Sequence, residues 1–493
     1  MGYGNGFPLF NYYSALPYYI GGILSYVFGL VNSAKALFVI PLLLGGISMF
    51  LLGQKLYGKD AGFLAGILYM FAPYRALDSY VRGAIAESFA LAIAPFVFYY
   101  ILKIIDKPTR INLILGSISL GAFLISHNIM TMFFTPFIIL WGIVFLYIQK
   151  WKNWKPLLVS FILGISLSAF FLMPVFLEKN LVQTDTLIQG GSDFRTHFVG
   201  VSQLFLDRTW GYGGSFFGPE DTISFQIGWP LWWFVILVIP PLLLTFNKNY
   251  KITLGAIFLF VMFGSSVFMQ HNKSAFIWEQ ISTLQFAQFP WRLLSLSIFS
   301  ASLIGGLFIY YISPRFKLIV VLIASITAVL LNWNYFIPRE FYPWINDVNK
   351  IEDPLWEIQQ KAGILDYLPV TAQEPQGRAQ QQIEIIEGDA VSNSYTSRSD
   401  YFTGEVTVNT RSYLQVPVFD FPNWELYVNG QKQSHDNKGP LGRISFYLEP
   451  GIYQIEGYFR DTLVRTIANI LTLSSIVLLI LIWTSKKLQK LLM

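Results

Sequence analysis

Long apolar segments alternate with short polar segments along most of the chain. Runs of about 17–22 apolar residues recur, and a helix of that length crosses a hydrocarbon core of ~30 Å. The pattern predicts about eleven membrane-spanning helices, near residues 33–54, 60–74, 84–102, 111–126, 129–148, 156–177, 228–246, 252–269, 291–312, 316–334 and 463–484. The predicted fold class is therefore an α-helical multi-pass membrane protein.

The apolar pattern is interrupted once, over residues 337–461, where a soluble domain is predicted. Its first part is polar and irregular. From about residue 382, runs such as "GEVTVNTR", "YLQVPVF" and "RISFYLE" alternate with period two, and Asn429-Gly430 marks a tight turn. These features predict an antiparallel β-sandwich between a membrane domain, residues 1–336, and a last helix with a basic tail, residues 462–493.

Composition supports the membrane assignment, because only 13% of the 493 residues are charged, against roughly 25% in soluble domains. The net charge is +5, but Lys and Arg recur between alternate spans, as the positive-inside rule requires of cytoplasmic loops. We therefore predict a plasma-membrane protein with a cytoplasmic tail and no nucleic-acid partner. The other loops, residues 1–32, 75–83, 126–129, 178–227 and 270–290, and the 337–461 domain would lie outside.

The absence of cysteine excludes a disulfide, a thiolate nucleophile and a zinc–thiolate site. The four histidines are scattered without metal-ligand spacing.

One short stretch between two spans, "APYRALDSYVRGAIAESF", holds four charges: Arg75, Asp78, Arg82 and Glu87. A helix beginning near Val81 would carry Glu87 into a span, where an ionisable side chain is costly and indicates function. The two arginines suit a phosphate or pyrophosphate. Asp78 or Glu87 would act as a general base or hold a divalent cation such as Mg²⁺ or Mn²⁺. The alternative is a pair of interfacial arginines with an internal Arg82–Glu87 ion pair.

Two further polar groups are predicted on the same external side. "FLISHNIM" places His127 and Asn128 at a turn between spans, where the imidazole would donate to a phosphate or accept a proton. In "LQFAQFPWRLL", Pro290 marks a helix start. That segment supplies four polar or aromatic candidates: Gln285, Gln288, Trp291 and Arg292. An arginine at a helix N-terminus opposes the helix dipole, so an anionic partner is expected for Arg292.

Taken together, these segments carry a resemblance. The succession GYGNGFPLFNYYSALPYYIGG, YRALDSYVRGAIAESFA, LISHNIM, QFPWRLL and LDYLPV, followed by a β-domain and a last span, resembles the pyruvoyl-tetrahydropterin synthase-related membrane proteins. That family is similar to the C-type (GT-C) fold of glycosyltransferases. The soluble pterin synthases use a zinc held by histidines, and no such spacing occurs here.

The resemblance implies a glycosyltransferase that takes a sugar from a polyprenyl-phosphate carrier and transfers it to an envelope glycan, lipid or protein. The substrate-binding residues would be Arg75, Arg82, His127, Asn128, Gln285 and Arg292, and the catalytic residues Asp78 and Glu87. Two other classes stay open: a lipid-carrier flippase that uses the same arginines, and a membrane scaffold that recruits partners through the external domain.

In the C-type fold a key acidic residue lies in the first outer loop, but this sequence has no charged residue before Lys35. We therefore expect an additional helix upstream of residue 1; the alternative is that the usual catalytic carboxylate is lost and the enzyme is inactive. Residues 18–31 would then lie in the interface, although a span there is the alternative.

Overall fold

The computed structural model describes residues 2–216, 221–246, 248–352, 356, 358–359 and 366–485. The predicted basic tail therefore lies almost entirely outside the described residues. The chain forms two compact units. We call Ser14–Ser168, Ile188–Pro343 and Thr472–Met493 the membrane unit, and Met1–Tyr13, Ala169–Leu187 and Trp344–Leu471 the β unit.

The α-helices of the described residues are numbered in chain order. They are α1 Leu16–Phe28, α2 Leu30–Tyr57, α3 Lys59–Met70, α4 Pro73–Ala76, α5 Ile85–Asp106, α6 Arg110–Leu124, α7 Asn128–Ile148, α8 Trp154–Leu167, α9 Ala169–Leu177, α10 Val201–Phe205, α11 Trp229–Leu237, α12 Ile239–Leu244, α13 Tyr250–Gln270, α14 Ala275–Gln280, α15 Ser282–Gln285, α16 Leu294–Tyr311, α17 Pro314–Asn332, α18 Asp347–Glu352 and α19 Leu463–Thr484.

All eleven predicted spans coincide with helices. Within the described part of the chain, seven are long and apolar enough to cross a membrane, or eight if α8 and α9 form one bent span. The other three predicted spans are occupied by shorter helices. Helix α3 has 12 residues, α6 has 15, and the predicted span 228–246 is divided into α11 and α12. The fold class of a multi-pass helical protein with a β-domain before its last helix is confirmed.

Within the predicted 18–31 segment, residues 18–28 belong to helix α1, which ends at Phe28, and residues 30–31 already belong to α2. Gly29 adopts φ +75° and separates α1 from α2. With 13 residues, α1 is about 20 Å long, which is shorter than a ~30 Å hydrocarbon core.

Two spans are far more enclosed than the others. In their most apolar stretches, 78% of α5 and 89% of Pro290–Tyr311 is buried, against 28% for Pro314–Phe336 and 22% for α19. Close approach of small residues supports such packing: a Cβ on Gly62 of α3 would lie 2.5 Å from the Phe50 carbonyl oxygen of α2. The two enclosed spans form the centre of the membrane unit, and each begins at a charged segment predicted from the sequence.

The β unit contains a sandwich of eight antiparallel strands: β1 Glu384–Glu387, β2 Ala390–Ser397, β3 Tyr401–Val408, β4 Ser412–Phe419, β5 Trp424–Val428, β6 Gln431–Gln433, β7 Arg443–Leu448 and β8 Gly451–Phe459. One sheet has the order β1-β4-β7 and the other β2-β3-β8-β5-β6. Alternate residues of both sheets, among them Phe402, Leu414 and Ile455, form a common core. The predicted sandwich is therefore present.

Strands β2 and β6 were not predicted. Both lie at the edges of the five-stranded sheet, and β2 reads AVSNSYTS, in which most side chains are polar. An edge strand buries little of its surface and so lacks a strong apolar alternation. The Asn429-Gly430 turn is confirmed, with φ values of +48° and +74° between the paired strands β5 and β6.

The sandwich core gives the first testable prediction. Leu414 is fully buried in β4, whereas Val391 in the edge strand β2 is 52% exposed. We expect Leu414→Ala to destabilise the β unit by about 2–5 kcal/mol and Val391→Ala by less than about 0.5 kcal/mol. Proteolysis at rising temperature measures the midpoint at which the 384–459 fragment is lost. Equal midpoints for the two variants would contradict the assigned core.

Candidate functional site

The charged stretch folds into two short helical turns that lead into α5. Pro73 starts α4, and Leu77–Val81 forms a π-turn that ends where the Arg82 N–H donates to the Leu77 carbonyl. Gly83 then adopts φ +61°, a conformation that glycine takes without steric cost. The helix predicted from near Val81 therefore begins later, at Ile85, and Glu87 occupies its first turn.

Arg82 lies between two buried carboxylates. Its Nη1 is 2.5 Å from Asp78 Oδ1 and 2.9 Å from Glu87 Oε2. Both carboxylate side chains are fully buried, whereas the Arg82 side chain is 14% exposed. The internal Arg82–Glu87 pair considered from the sequence is thus present, and Asp78 shares the same nitrogen.

Tyr74 completes this cluster and was missed in the sequence reasoning. Its hydroxyl donates to Glu87 Oε1 and accepts from Arg82 Nη1 at 3.2 Å. Burial raises the pKa of Tyr74 well above its usual value, so the hydroxyl keeps its proton. The position immediately before Arg75 in a charge-rich turn was the available signal, but a tyrosine at an interface is also common in membrane proteins.

Asp78 accepts a hydrogen bond at only one of its two carboxylate oxygens. Its Oδ2 is buried and has no hydrogen-bond partner among the described residues. Burial, followed by the nearby charge of Glu87, raises the pKa of Asp78 well above its usual range. The raised pKa favours the protonated form of Asp78 more than at an exposed aspartate.

Arg75 is directed away from this cluster. Its Nη2 donates to the Pro41 carbonyl at 2.7 Å and its Nη1 to the Ser88 carbonyl at 3.3 Å. The side chain is 2% exposed, and its guanidinium lies over the Tyr69 ring. In this structure Arg75 therefore connects α4 to α2 and α5, and its predicted role in ligand binding stays a prediction.

His127 caps the N-terminus of α7. Its Nδ1 accepts a hydrogen bond from the Met130 N–H at 3.2 Å, so a neutral ring carries its proton on Nε2. Burial lowers the pKa of His127 to about 4, although the charge of Glu87 acts in the opposite direction. Of the two roles predicted for this imidazole, the geometry favours the hydrogen-bond donor. Asn128 follows as the half-buried first residue of α7.

The segment before α16 brings a second arginine to the site. Pro290 starts a 3₁₀ turn that continues into α16, which confirms the predicted helix start. Arg292 Nη1 donates to the Ala287 carbonyl at 3.0 Å and to Gln288 Oε1 at 3.1 Å. The charge of Arg292 also acts on the buried Glu87 carboxylate, and the anionic partner expected from the sequence stays a prediction. Gln285 instead donates to the Trp278 carbonyl.

Two stacked rings join the arginines. The Phe289 and Trp291 rings lie 5.2 Å apart between centroids. Arg82 lies 4.8 Å over the Trp291 ring, and Arg292 lies 4.8 Å over the Phe289 ring. Because each guanidinium contacts one ring of a stacked pair, the structure brings together Arg82 of the first charged segment and Arg292 of the last.

The geometry does not favour a metal ion at the carboxylates. Among the described residues, no group of three His, Asp or Glu side chains is arranged to hold one. Asp78 and Glu87 face a guanidinium, whose positive charge would oppose a divalent cation at that place.

Comparison with known proteins confirms the predicted resemblance for part of the chain. Residues 10–188 match the model of the 6-pyruvoyl-tetrahydropterin synthase related domain, described as a membrane protein. This region contains Arg75, Asp78, Arg82, Glu87 and His127. No curated protein matches the chain.

Two solved structures are similar in fold. The crystal structure of ArnT from Cupriavidus metallidurans bound to undecaprenyl phosphate is 13% identical, with a TM-score of 0.36 over 65% of this chain and 55% of that one. The Archaeoglobus fulgidus oligosaccharyltransferase in the apo form is 14% identical, with a TM-score of 0.34 over 76% of this chain and 54% of that one. The chain thus spans just over half the length of each. At TM-scores this low, the likeness supports no conclusion about substrate or mechanism.

The buried cluster gives a prediction about stability. Glu87→Ala would leave Arg82 and Tyr74 without their shared acceptor, and breaking a buried ion pair costs about 3–5 kcal/mol. Glu279→Ala is the matched control, because Glu279 is 52% exposed and pairs with the exposed Arg195, where about 0–1 kcal/mol is expected. Intrinsic tryptophan fluorescence during thermal unfolding in detergent measures both. Similar unfolding midpoints for the two variants would contradict the buried pair.

Proposed function

We propose that this site binds the phosphate of a polyprenyl-phosphate sugar and that the protein is a glycosyltransferase acting at the external face of the plasma membrane. The observation that supports this most is the state of Arg82. Nη1 of Arg82 is held by Asp78, Glu87 and Tyr74, yet within the described part of the chain its Nε and Nη2 make no hydrogen bond. A guanidinium fixed at one nitrogen thus presents its remaining N–H groups to a ligand.

Those free N–H groups suit a phosphate. Nε–H and Nη2–H of one guanidinium point in the same direction and bind two oxygens of a phosphate together. The Trp291 ring holds the plane of the guanidinium from one side. Little side-chain freedom is therefore lost when the phosphate binds, which raises affinity.

Arg292 and His127 add to the binding of an anion. The positive charges of Arg292 and Arg82 both act on His127 and lower its pKa, so all three groups lie within electrostatic range of one another. A neutral imidazole with its proton on Nε2 donates a hydrogen bond without adding charge. Two cations and one neutral donor form a suitable set for a phosphate leaving group.

The resemblance to the C-type fold supplies the reaction that we assign to this site. The bond between the anomeric carbon of the sugar and the phosphate oxygen breaks, and the bond between that carbon and an acceptor hydroxyl oxygen forms. The phosphate leaves with the electron pair of the broken bond, and the arginines stabilise its charge. One carboxylate of the Asp78–Glu87 pair accepts the proton of the acceptor hydroxyl.

Binding of a prenyl phosphodiester to the protein in lipid nanodiscs tests the phosphate site. Loss of a charge-assisted hydrogen bond costs about 1.5–3 kcal/mol, so Arg82→Ala and Arg292→Ala should each weaken binding by about 10- to 150-fold. Arg82→Lys should retain part of the affinity because it keeps the charge and loses the fork. Arg339→Ala, at an arginine that is 68% exposed, serves as the control. Unchanged affinity in both alanine variants would leave only structural roles for these arginines.

Transfer itself is tested with a panel of polyprenyl-phosphate sugars. The purified protein in lipid should release free polyprenyl phosphate from at least one of them when an acceptor extract is added. Asp78→Asn should bind the phosphodiester and release less carrier. A protein that binds the ligand and releases none with any donor would contradict the assigned reaction.

Membrane orientation is testable because the chain contains no cysteine. Single cysteines at Val391, in the sandwich, and at Lys59, in a loop predicted to be cytoplasmic, are each exposed in this structure. A membrane-impermeant maleimide added to intact cells should label Val391→Cys and leave Lys59→Cys unlabelled until the cells are lysed. The reverse pattern would place the proposed site on the cytoplasmic side.

A further inference from the structure

The loop between α9 and α10 reaches Arg292 through a single residue. Gln288 Nε2 donates to Ser192 Oγ at 3.2 Å, and its Oε1 accepts from Arg292 Nη1 at 3.1 Å. Gln288 has φ +63°, a left-handed conformation that a residue with a side chain adopts at a cost. Gln288 therefore keeps an unfavourable backbone conformation while its side-chain amide connects Ser192 to Arg292.

A second connection runs from the same loop region to Arg82 through Trp291. The Trp291 Nε1–H donates to Ser215 Oγ at 3.1 Å, and Ser215 Oγ lies 2.6 Å from His197 Nδ1. His197 Nε2 lies 2.9 Å from the Gly191 carbonyl oxygen. At the other end of this connection, the Arg82 guanidinium lies over the Trp291 ring.

The direction of every hydrogen bond in this second connection is fixed by chemistry. The Gly191 carbonyl can only accept, so His197 Nε2 carries a proton, and a neutral ring then accepts at Nδ1. Trp291 Nε1 can only donate, so Ser215 Oγ accepts a hydrogen bond from it. The Ser215 hydroxyl in turn donates a hydrogen bond to His197 Nδ1. The connection is complete only while His197 is neutral.

We propose that His197 and Ser215 are positioning residues of the phosphate site, which set the plane of Trp291 and through it the orientation of Arg82. The inference rests on the proposed function. A hydrogen bond to the indole N–H stops the ring from turning about its Cβ–Cγ bond. The ring face that the Arg82 guanidinium contacts at 4.8 Å is thereby held in place. Ser192 acts in the same manner on Arg292 through Gln288.

The connection makes phosphate binding dependent on pH. Asp221, Asp193 and Arg292 are the charged groups that act on His197, and burial lowers the pKa of His197 below 6.5. Once protonated, His197 has no acceptor at Nδ1 and Ser215 loses its partner. Affinity should therefore be full above the pKa of His197 and should fall as the pH decreases through it.

The test is a set of coupled variants, with binding of the prenyl phosphodiester as the readout, since its single charge is constant over the pH range used. Ser215→Ala removes the acceptor of the indole N–H, and Trp291→Phe keeps an aromatic ring and removes the N–H itself. Each should lower affinity by about three- to tenfold, and the double variant by no more than the larger single effect, because both delete the same hydrogen bond.

Two further measurements separate positioning from a general structural role. In the Arg82→Ala background, Ser215→Ala should cause no further loss, since its effect passes through Arg82. Ser215→Thr keeps the hydroxyl and should restore the native affinity. Ser202→Ala, at an exposed serine of α10 in the same loop region, is the control and should bind like the native chain.

The outcomes distinguish this inference from the proposed function. If Arg82→Ala binds the phosphodiester with native affinity, the proposed phosphate site is contradicted, and so is the inference that rests on it. If Arg82→Ala weakens binding but Ser215→Ala has the same effect with or without Arg82, the phosphate site stands and the inference is overturned. A loss of affinity at acid pH that is as large in Ser215→Ala as in the native chain would also overturn it.

Discussion

Two fully buried carboxylates beside one guanidinium are the constraint on which the rest of the site depends. An unpaired charge at this depth costs several kcal/mol, so Asp78 and Glu87 require Arg82. Arg82 in turn is fixed at one nitrogen and can bind a ligand only through the others. The ion pairs that stabilise the buried carboxylates of Asp78 and Glu87 therefore also fix the position of Arg82. Within the described part of the chain they leave Nε and Nη2 of Arg82 without a hydrogen bond.

The enclosed core of the membrane unit explains why this arrangement can be held in place. Glu87 lies in the first turn of α5 and Arg292 just before α16, and the spans that contain them are the most buried of the molecule. Side chains at the start of a well-packed helix move little. The two connections between α9 and α11 add hydrogen bonds from Ser192 to Gln288 and from Ser215 to Trp291, the residues that contact Arg292 and Arg82.

Several site residues were predictable because their chemistry is unusual for their position. Arg82, Glu87 and Arg292 stand out in an apolar chain, since a charge next to a span is costly. Tyr74, His197 and Ser215 did not stand out, because aromatic and hydroxyl residues are common in such loops. Arg75 carried the same signal as Arg82, yet its guanidinium is directed to backbone carbonyls, and sequence alone does not distinguish these two orientations.

The sequence by itself determined that the chain is a membrane protein, where its helices lie and that a β-sandwich precedes the last helix. These features follow from apolar run length and from period-two alternation, which are local properties of the chain. Only the tertiary structure decided which charges meet. Residues 82 and 292 are brought to neighbouring rings by long-range packing, in which α16 contacts α3 and α4 more than 200 residues earlier. Such contacts depend on how whole helices pack and not on the residues adjacent in sequence.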